Sequence, residues 1–274
     1  MMNELRKTVQ SMLMAALVLC AGGALAQTAE QPFEPYAGQA GKDVVWVPTP
    51  PELVEKMLDV AGVTSRDYVI DLGSGDGRNI IAAAKRGARS LGVEFNPDMV
   101  ALSQRAAAAQ GVAGKAMFVQ GDMFEADISQ ATVLALFLLP DNLRKLLPRF
   151  VALKPGTRMV MNTFGLGDWE ADETHKVVNN CDYWCTALLY IVPARVEGTW
   201  RLAQGELILQ QSYQKISGVL RSDGVSQAIA DGRLRGDEIA FSVDGKSYAG
   251  RVDGETMSGE VKSGARWTAS RLSR

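Results

Sequence analysis

Three carboxylates set around a glycine-rich stretch give the first chemical lead in this 274-residue chain. In "VIDLGSGDGRN", Val69 to Asn79, Asp71 stands two residues ahead of Gly73, which is followed by Ser74, Gly75, Asp76 and Gly77. Apolar residues, a glycine turn and then helix-forming residues are the pattern that presents backbone N–H groups and a helix start to a nucleotide-like ligand. The spacing is Gly-x-Gly-x-Gly, and Arg78 occupies the place where a dinucleotide fingerprint requires its third glycine. No lysine follows to make a P-loop. Two more acids come at matching places: Glu94 in "LGVEFNP" and Asp122 in "VQGDMF".

These groups need a frame that brings strand ends together. Strands are predicted at Tyr68 to Leu72, Ser90 to Phe95, Ala116 to Gln120, Thr132 to Leu139 and Arg158 to Phe164. Helices are predicted from Pro51, over Arg78 to Arg86, over Pro97 to Gln110, and over Asp141 to Leu153. Short apolar strands alternating with helices predict an α/β fold, a Rossmann-like, doubly wound, mainly parallel sheet over residues 43–194. From about Arg195 the helical spacing stops, and short alternating runs are separated by Asp223-Gly224, Asp231-Gly232, Asp244-Gly245 and Asp253-Gly254. Residues 195–274 therefore read as a small all-β antiparallel module, a sheet or barrel with Asp-Gly hairpin turns.

The remaining features bound the setting. Arg6 and Lys7, the apolar run Met12 to Cys20 and Ala24-Leu25-Ala26 predict a cleaved export signal over residues 1–26 and a periplasmic or secreted protein. That run is shorter than the roughly 20 residues needed to span a bilayer, so no transmembrane segment is expected in the mature chain. Residues 27–42, polar and rich in Gly and Pro, read as a flexible leader. A net charge of −2 and the absence of any lysine or arginine block argue against nucleic acid as a partner. A single histidine, His175, in a polar stretch read as solvated loop or helix, leaves no metal cluster to assemble. Cys181 and Cys185 in "CDYWC" are equally compatible with a bond and with packed thiols. Trp200 and Trp267 in the β-module read more readily as buried than as ligand-binding.

At the first strand end Asp71 faces the loop, at the second Glu94 can accept two ribose hydroxyls, and past the third Asp122 meets an adenine edge. Three carboxylates repel a pyrophosphate and welcome a cation, which selects S-adenosylmethionine over a dinucleotide. With "WVPTP", the glycine stretch and "GDMF", residues Val44 to Trp169 resemble class I S-adenosylmethionine-dependent methyltransferases. They are most similar to the protein-lysine N-methyltransferases acting on the ATP synthase c-subunit and the adenine nucleotide translocase. The resemblance implies that Gly73, Ser74, Gly75, Asp76 and Gly77 wrap the methionine portion with Asp71 in support. It also implies that Glu94 holds the ribose, that Phe95, Asp122 and Met123 line the adenine end, and that Thr49 closes over the cofactor. Lysine as acceptor rests on the resemblance alone.

After the fourth strand the chain reads "LFLLPDNL" in place of a polar acceptor motif. Asp141 is the first ionisable group there, a helix N-cap by preference and a weak candidate for a catalytic base. The leading expectation is an exported methyltransferase acting on a protein or another envelope acceptor. Its rivals are a non-catalytic periplasmic protein binding an adenosyl ligand, and a small-molecule N- or O-methyltransferase.

Overall fold

The computed structural model describes residues 33–273; the export signal expected over residues 1–26 lies outside them. A seven-stranded sheet holds β1 (Tyr68–Leu72), β2 (Arg89–Glu94), β3 (Ala116–Gln120), β4 (Val133–Leu136), β5 (Arg158–Asn162), β6 (Glu173–Lys176) and β7 (Thr186–Ile191), in the order β3-β2-β1-β4-β5-β7-β6. The first five strands run parallel, and β7 and β6 close one side antiparallel. Val69, Ile70 and Leu72 of β1 and all four residues of β4 are buried, as expected for central strands covered on both faces. The covering helices are α1 (Pro51–Val60), α2 (Arg78–Lys85), α3 (Pro97–Ala109) and α4 (Pro140–Phe150). On α1 the buried residues Leu53, Val54, Met57 and Leu58 form one stripe at helical spacing. The chain order reverses between β1 and β4, and in such sheets ligands dock beyond the strand carboxyl ends at that reversal.

Several expected boundaries shift, and the shifts matter for the site. Pairing of β4 with β5 ends at Leu136 and Met161, so Phe137 to Leu139 and Phe164 leave the sheet where the sequence predicts that strands continue. Their apolar character comes from lining a cleft, which an apolar run by itself does not distinguish from strand burial. The β6–β7 hairpin carries no sequence signal, because Glu173–Lys176 is a polar edge strand with no apolar alternation. His175 lies on this strand, beside Glu173 at 3.0 Å, and not in a loop or helix.

The C-terminal module is a closed eight-stranded antiparallel barrel. Its strands are β8 (Gly198–Leu202), β9 (Gly205–Ser212), β10 (Lys215–Ser222), β11 (Val225–Arg235), β12 (Glu238–Val243), β13 (Lys246–Asp253), β14 (Thr256–Val261) and β15 (Arg266–Ser273). Closure leaves no free sheet edge. Trp200 and Trp267 are buried in its core, with their indole N–H groups donating to Val196 O and Ala249 O. Asp231-Gly232 is not a hairpin turn: it makes the irregularity in β11 between Ala230 and Arg233, and the chain reverses at Gly236-Asp237 instead. The barrel meets the sheet domain through Tyr213 stacked on buried Trp169 at 5.2 Å and through Arg233 paired with Asp172 at 2.9 Å. Among the described residues no helix is long and apolar enough to cross a membrane.

Candidate functional site

The glycine stretch forms the floor of a cleft at the β1–β4 reversal. Gly73 and Ser74 donate their N–H groups to Val93 O at 2.8 and 3.1 Å, which pins the turn to β2. Gly75 N donates to Glu94 Oε2 at 2.9 Å. At Gly75 the backbone is left-handed (φ 56°), and a Cβ there would lie 2.6 Å from the Trp46 indole nitrogen, so only glycine fits beneath that ring. Gly73, Ser74, Gly75 and Asp76 line the cleft. Gly77 does not, contrary to expectation: a Cβ on it would meet the Phe118 ring at 2.6 Å and Ser103 Cβ at 2.9 Å. Its φ of 80° and that close approach make it the packing glycine that lets α2 start against β3 and α3.

Asp71 is buried at the end of β1, and its Oδ2 accepts from Asn79 Nδ2 at 3.0 Å. Burial pushes its carboxyl well above the usual carboxylate range; the Asn79 hydrogen bond opposes this, while the nearby charges of Glu94 and Asp76 add to it. Glu94 uses one lone pair on each oxygen, Oε2 for Gly75 N and Oε1 for Asn96 N at 2.9 Å. A carboxylate offers about four acceptor positions, so one remains on each oxygen for a pair of hydroxyls. The Asp76 carboxylate is engaged by Arg78 at 2.5 Å, and the same guanidinium donates to Thr49 O at 2.6 Å. Thr49 is buried against the cleft, and its Oγ1 accepts from Asn162 Nδ2 at 3.4 Å.

At the other end Asp122, Met123 and Phe95 line the same cleft. Asp122 accepts from Phe124 N at 2.8 Å and pairs with Lys42 Nζ at 2.5 Å. These two donors, Lys42 first, hold its carboxyl below the usual range, and Asp122 in turn raises the Lys42 ammonium. The ammonium also sits 4.8 Å from the centre of the Phe95 ring. Lys42 closes the stretch expected to be a flexible leader; Gly38 N and Trp46 N exchange hydrogen bonds with Trp46 O and Gln39 O, making a loop that covers the cleft. Lys42 is not legible as a site residue from sequence, since it precedes the first strand and matches no motif; Trp46 opens the "WVPTP" stretch, but nothing in the sequence marks its ring as the cover over Gly75.

The third side of the cleft is apolar: Phe137, Leu138 and Leu139 after β4, Phe164 after β5, and Trp184 from the loop before β7. Trp184 lies within the Cys181–Cys185 disulfide, whose Cα atoms are 5.8 Å apart. Asp141 does not line this cleft. Pro140 starts α4, Leu139 holds the N-cap position without a side-chain cap, and the exposed Asp141 carboxylate pairs with Arg144 at 3.0 Å. It is neither the cap nor placed as a base.

The cleft has the chemistry to hold S-adenosylmethionine. A buried acid beside a glycine turn suits a cation, and the spare lone pairs of Glu94 suit a ribose. Two buried polar atoms flanking the cleft, Ser74 Oγ and Asn79 Oδ1, have no protein partner, which is costly unless a polar ligand or water meets them.

Comparison with known proteins agrees with this geometry. Residues 71–173 match the family model of the ANTKMT methyltransferase domain. A protein-lysine N-methyltransferase of Saccharolobus islandicus (strain REY15A) is 41% identical over 153 residues, 54% of this chain and 94% of that protein. The ATP synthase C-subunit lysine N-methyltransferase of Homo sapiens is 31% identical over 175 residues, 62% of this chain and 72% of that protein. Among solved structures, an RNA methyltransferase of Salinibacter ruber in complex with S-adenosyl-L-homocysteine is 42% identical, with a TM-score of 0.52 over 55% of this chain and 96% of that one. The family match ends at residue 173, ahead of the barrel.

Proposed function

The chain belongs to the ANTKMT-type methyltransferase family, and from that premise we propose that it transfers a methyl group from S-adenosylmethionine to the side-chain amine of a protein lysine. The observation that carries this reading is the union of two surfaces in one cleft, an acidic glycine-loop side and an apolar, aromatic side. What the cofactor supplies when bound is an electrophilic methyl group whose sulphur departs uncharged, so no acid is needed to assist the leaving group. Asp71 would hold the amino group of its methionine portion and the Gly73–Asp76 turn would wrap that portion, Glu94 would hold its ribose, and Phe95, Asp122 and Met123 would line its adenine. The protein's task is then alignment and exclusion of water, and alignment alone is worth up to about 7–11 kcal/mol in well-oriented reactions. Leu138 and Phe137 line an apolar approach to the glycine turn, and desolvation there favours the neutral, nucleophilic form of an amine. No side chain of that apolar wall is a base, so the seated amine gives its proton to solvent before the methyl group is transferred.

Both named lysine methyltransferases support the acceptor class, and the net charge of −2 speaks against RNA, the acceptor in the name of the Salinibacter protein. Export to an oxidising compartment is part of the same reading; the Arg6–Ala26 pattern and the Cys181–Cys185 bond support it. The test is transfer of labelled methyl from S-adenosylmethionine into an envelope extract, followed by hydrolysis and amino-acid analysis. Nε-methyllysine in protein is the expected product; label confined to RNA or to small molecules refutes the lysine reading. Fractionation with N-terminal sequencing tests the location, with a periplasmic product starting near Gln27 expected and an intact cytoplasmic chain refuting it.

A further inference from the structure

Phe137, Phe164 and Trp184 come from three separate connections yet converge on one wall of the cleft. Phe137 and Phe164 stack with centroids 6.2 Å apart, and Trp184 tilts against Phe137 at 6.0 Å. The wall adjoins the glycine turn, because the buried Leu138 side chain lies within 3.4 Å of the Cβ position of Gly73. Trp184 remains 42% exposed beside the two phenylalanines. Its backbone is also left-handed (φ 53°), a region that bulky residues avoid and that is kept only where the surroundings enforce it. The enforcing element is the short loop closed by Cys181 and Cys185, in which Asn180 just before the bridge is left-handed as well (φ 53°).

Resting on the lysine-methylation reading, we propose that Phe137, Phe164 and Trp184 are the acceptor subsite, an aromatic-walled slot for an alkylammonium side chain of the lysine type, and that the Cys181–Cys185 bridge positions Trp184 in it. Aromatic faces attract a cation within about 6 Å of the ring centre, and an aliphatic stem packs along the same rings. Charge complementarity points the same way: with buried Asp71 set aside, Asp43, Asp76, Glu94 and Asp122 border the cleft against the two cations Lys42 and Arg78. A neutral stem of equal length would lose the cation term and keep only its apolar packing.

The test uses the purified chain loaded with S-adenosylhomocysteine, with Nα-acetyl-lysine methylamide and its uncharged analogue Nα-acetyl-norleucine methylamide as probes in NMR titrations. The lysine probe should bind more tightly than the norleucine probe. Trp184→Leu should weaken the lysine probe about tenfold and Trp184→Phe should restore most of the loss, as a cation–aromatic contact requires. The paired change Cys181→Ser with Cys185→Ser should weaken the lysine probe several-fold, and in all three variants the affinity for S-adenosylhomocysteine should stay within about twofold. The subsite is refuted if the loaded protein binds both probes equally or neither, or if Trp184→Leu and the serine pair bind the lysine probe as the parent does. Failure of the parent chain to bind S-adenosylhomocysteine refutes instead the cofactor reading on which the subsite rests.

Discussion

Replacing Glu94 with glutamine changes one oxygen for an amide and little else, yet it should cost most of the cofactor affinity. In the native site Oε2 accepts from Gly75 N and Oε1 from Asn96 N, each at 2.9 Å, leaving one lone pair per oxygen for the two ribose hydroxyls. The amide keeps a single acceptor oxygen, and whichever way it turns, its NH2 group faces a backbone N–H and can no longer accept a hydroxyl. A hydrogen bond to a charged group is worth about 1.5–3 kcal/mol, and the partial exposure of Glu94 puts each near the lower end. One bond lost outright and the other stripped of its charge give about 3 kcal/mol, roughly 150-fold in Kd. Isothermal calorimetry with S-adenosylhomocysteine and with adenosine measures it, with a thermal melt to verify that the variant is folded. Because both ligands carry the ribose, both should weaken. A folded variant that binds S-adenosylhomocysteine within about threefold of the parent would refute the ribose assignment.

Asp71 makes the site pH-sensitive: its folded pKa is raised from 3.8, so in the free protein the folded state keeps a proton that the unfolded chain has released. Folding stability should therefore fall as pH rises from about 3.8 through the raised value, and Asp71→Asn should flatten that slope in melts taken across pH. Cofactor affinity should rise over the same window, since the ionised carboxylate is the form that meets a cation, and calorimetry in buffers of different ionisation enthalpy should detect the released proton. Gly77→Ala, which drives a Cβ into Phe118 and Ser103 at a left-handed position, should cost about 2–4 kcal/mol of stability in urea unfolding. Gly75→Ala instead displaces Trp46 and should act on S-adenosylhomocysteine affinity before stability. Arg233→Ala strands Asp172, whose carboxylate is fully buried; with the arginine half exposed the cost should be about 1–2 kcal/mol, read from the urea midpoint.

The sheet is readable because central parallel strands are apolar along most of their length and are punctuated by helices, as in Tyr68–Leu72, polar only at Asp71, followed by Arg78–Lys85. The barrel is readable from Asp-Gly turns such as Asp223-Gly224, where Asp223 takes φ 50° and Gly224 φ 79°. The same dipeptide misleads at Asp231-Gly232, because a left-handed Asp before Gly serves a bulge as well as a turn. Within the site, residues at strand ends follow from the motif, and Asp71, Gly73, Glu94 and Asp122 all border one cleft. Gly77 does not, since a glycine needed for close packing and one needed for a ligand look alike in sequence. Lys42 and Trp46 reach the cleft through a loop over the glycine turn, a contact made only in three dimensions. Trp184 is hidden for a related reason: its place depends on the Cys181–Cys185 bond, which spacing leaves open.

A crystal structure of the chain with S-adenosylhomocysteine tests the central claim most directly. The ligand is expected along the ends of β1 and β2, with both ribose hydroxyls on Glu94, its amino group beside Asp71 and the Gly73 turn, and its sulphur toward Leu138. Electron density for the ligand elsewhere, or a Glu94 carboxylate with no hydroxyl within hydrogen-bond reach, would contradict it.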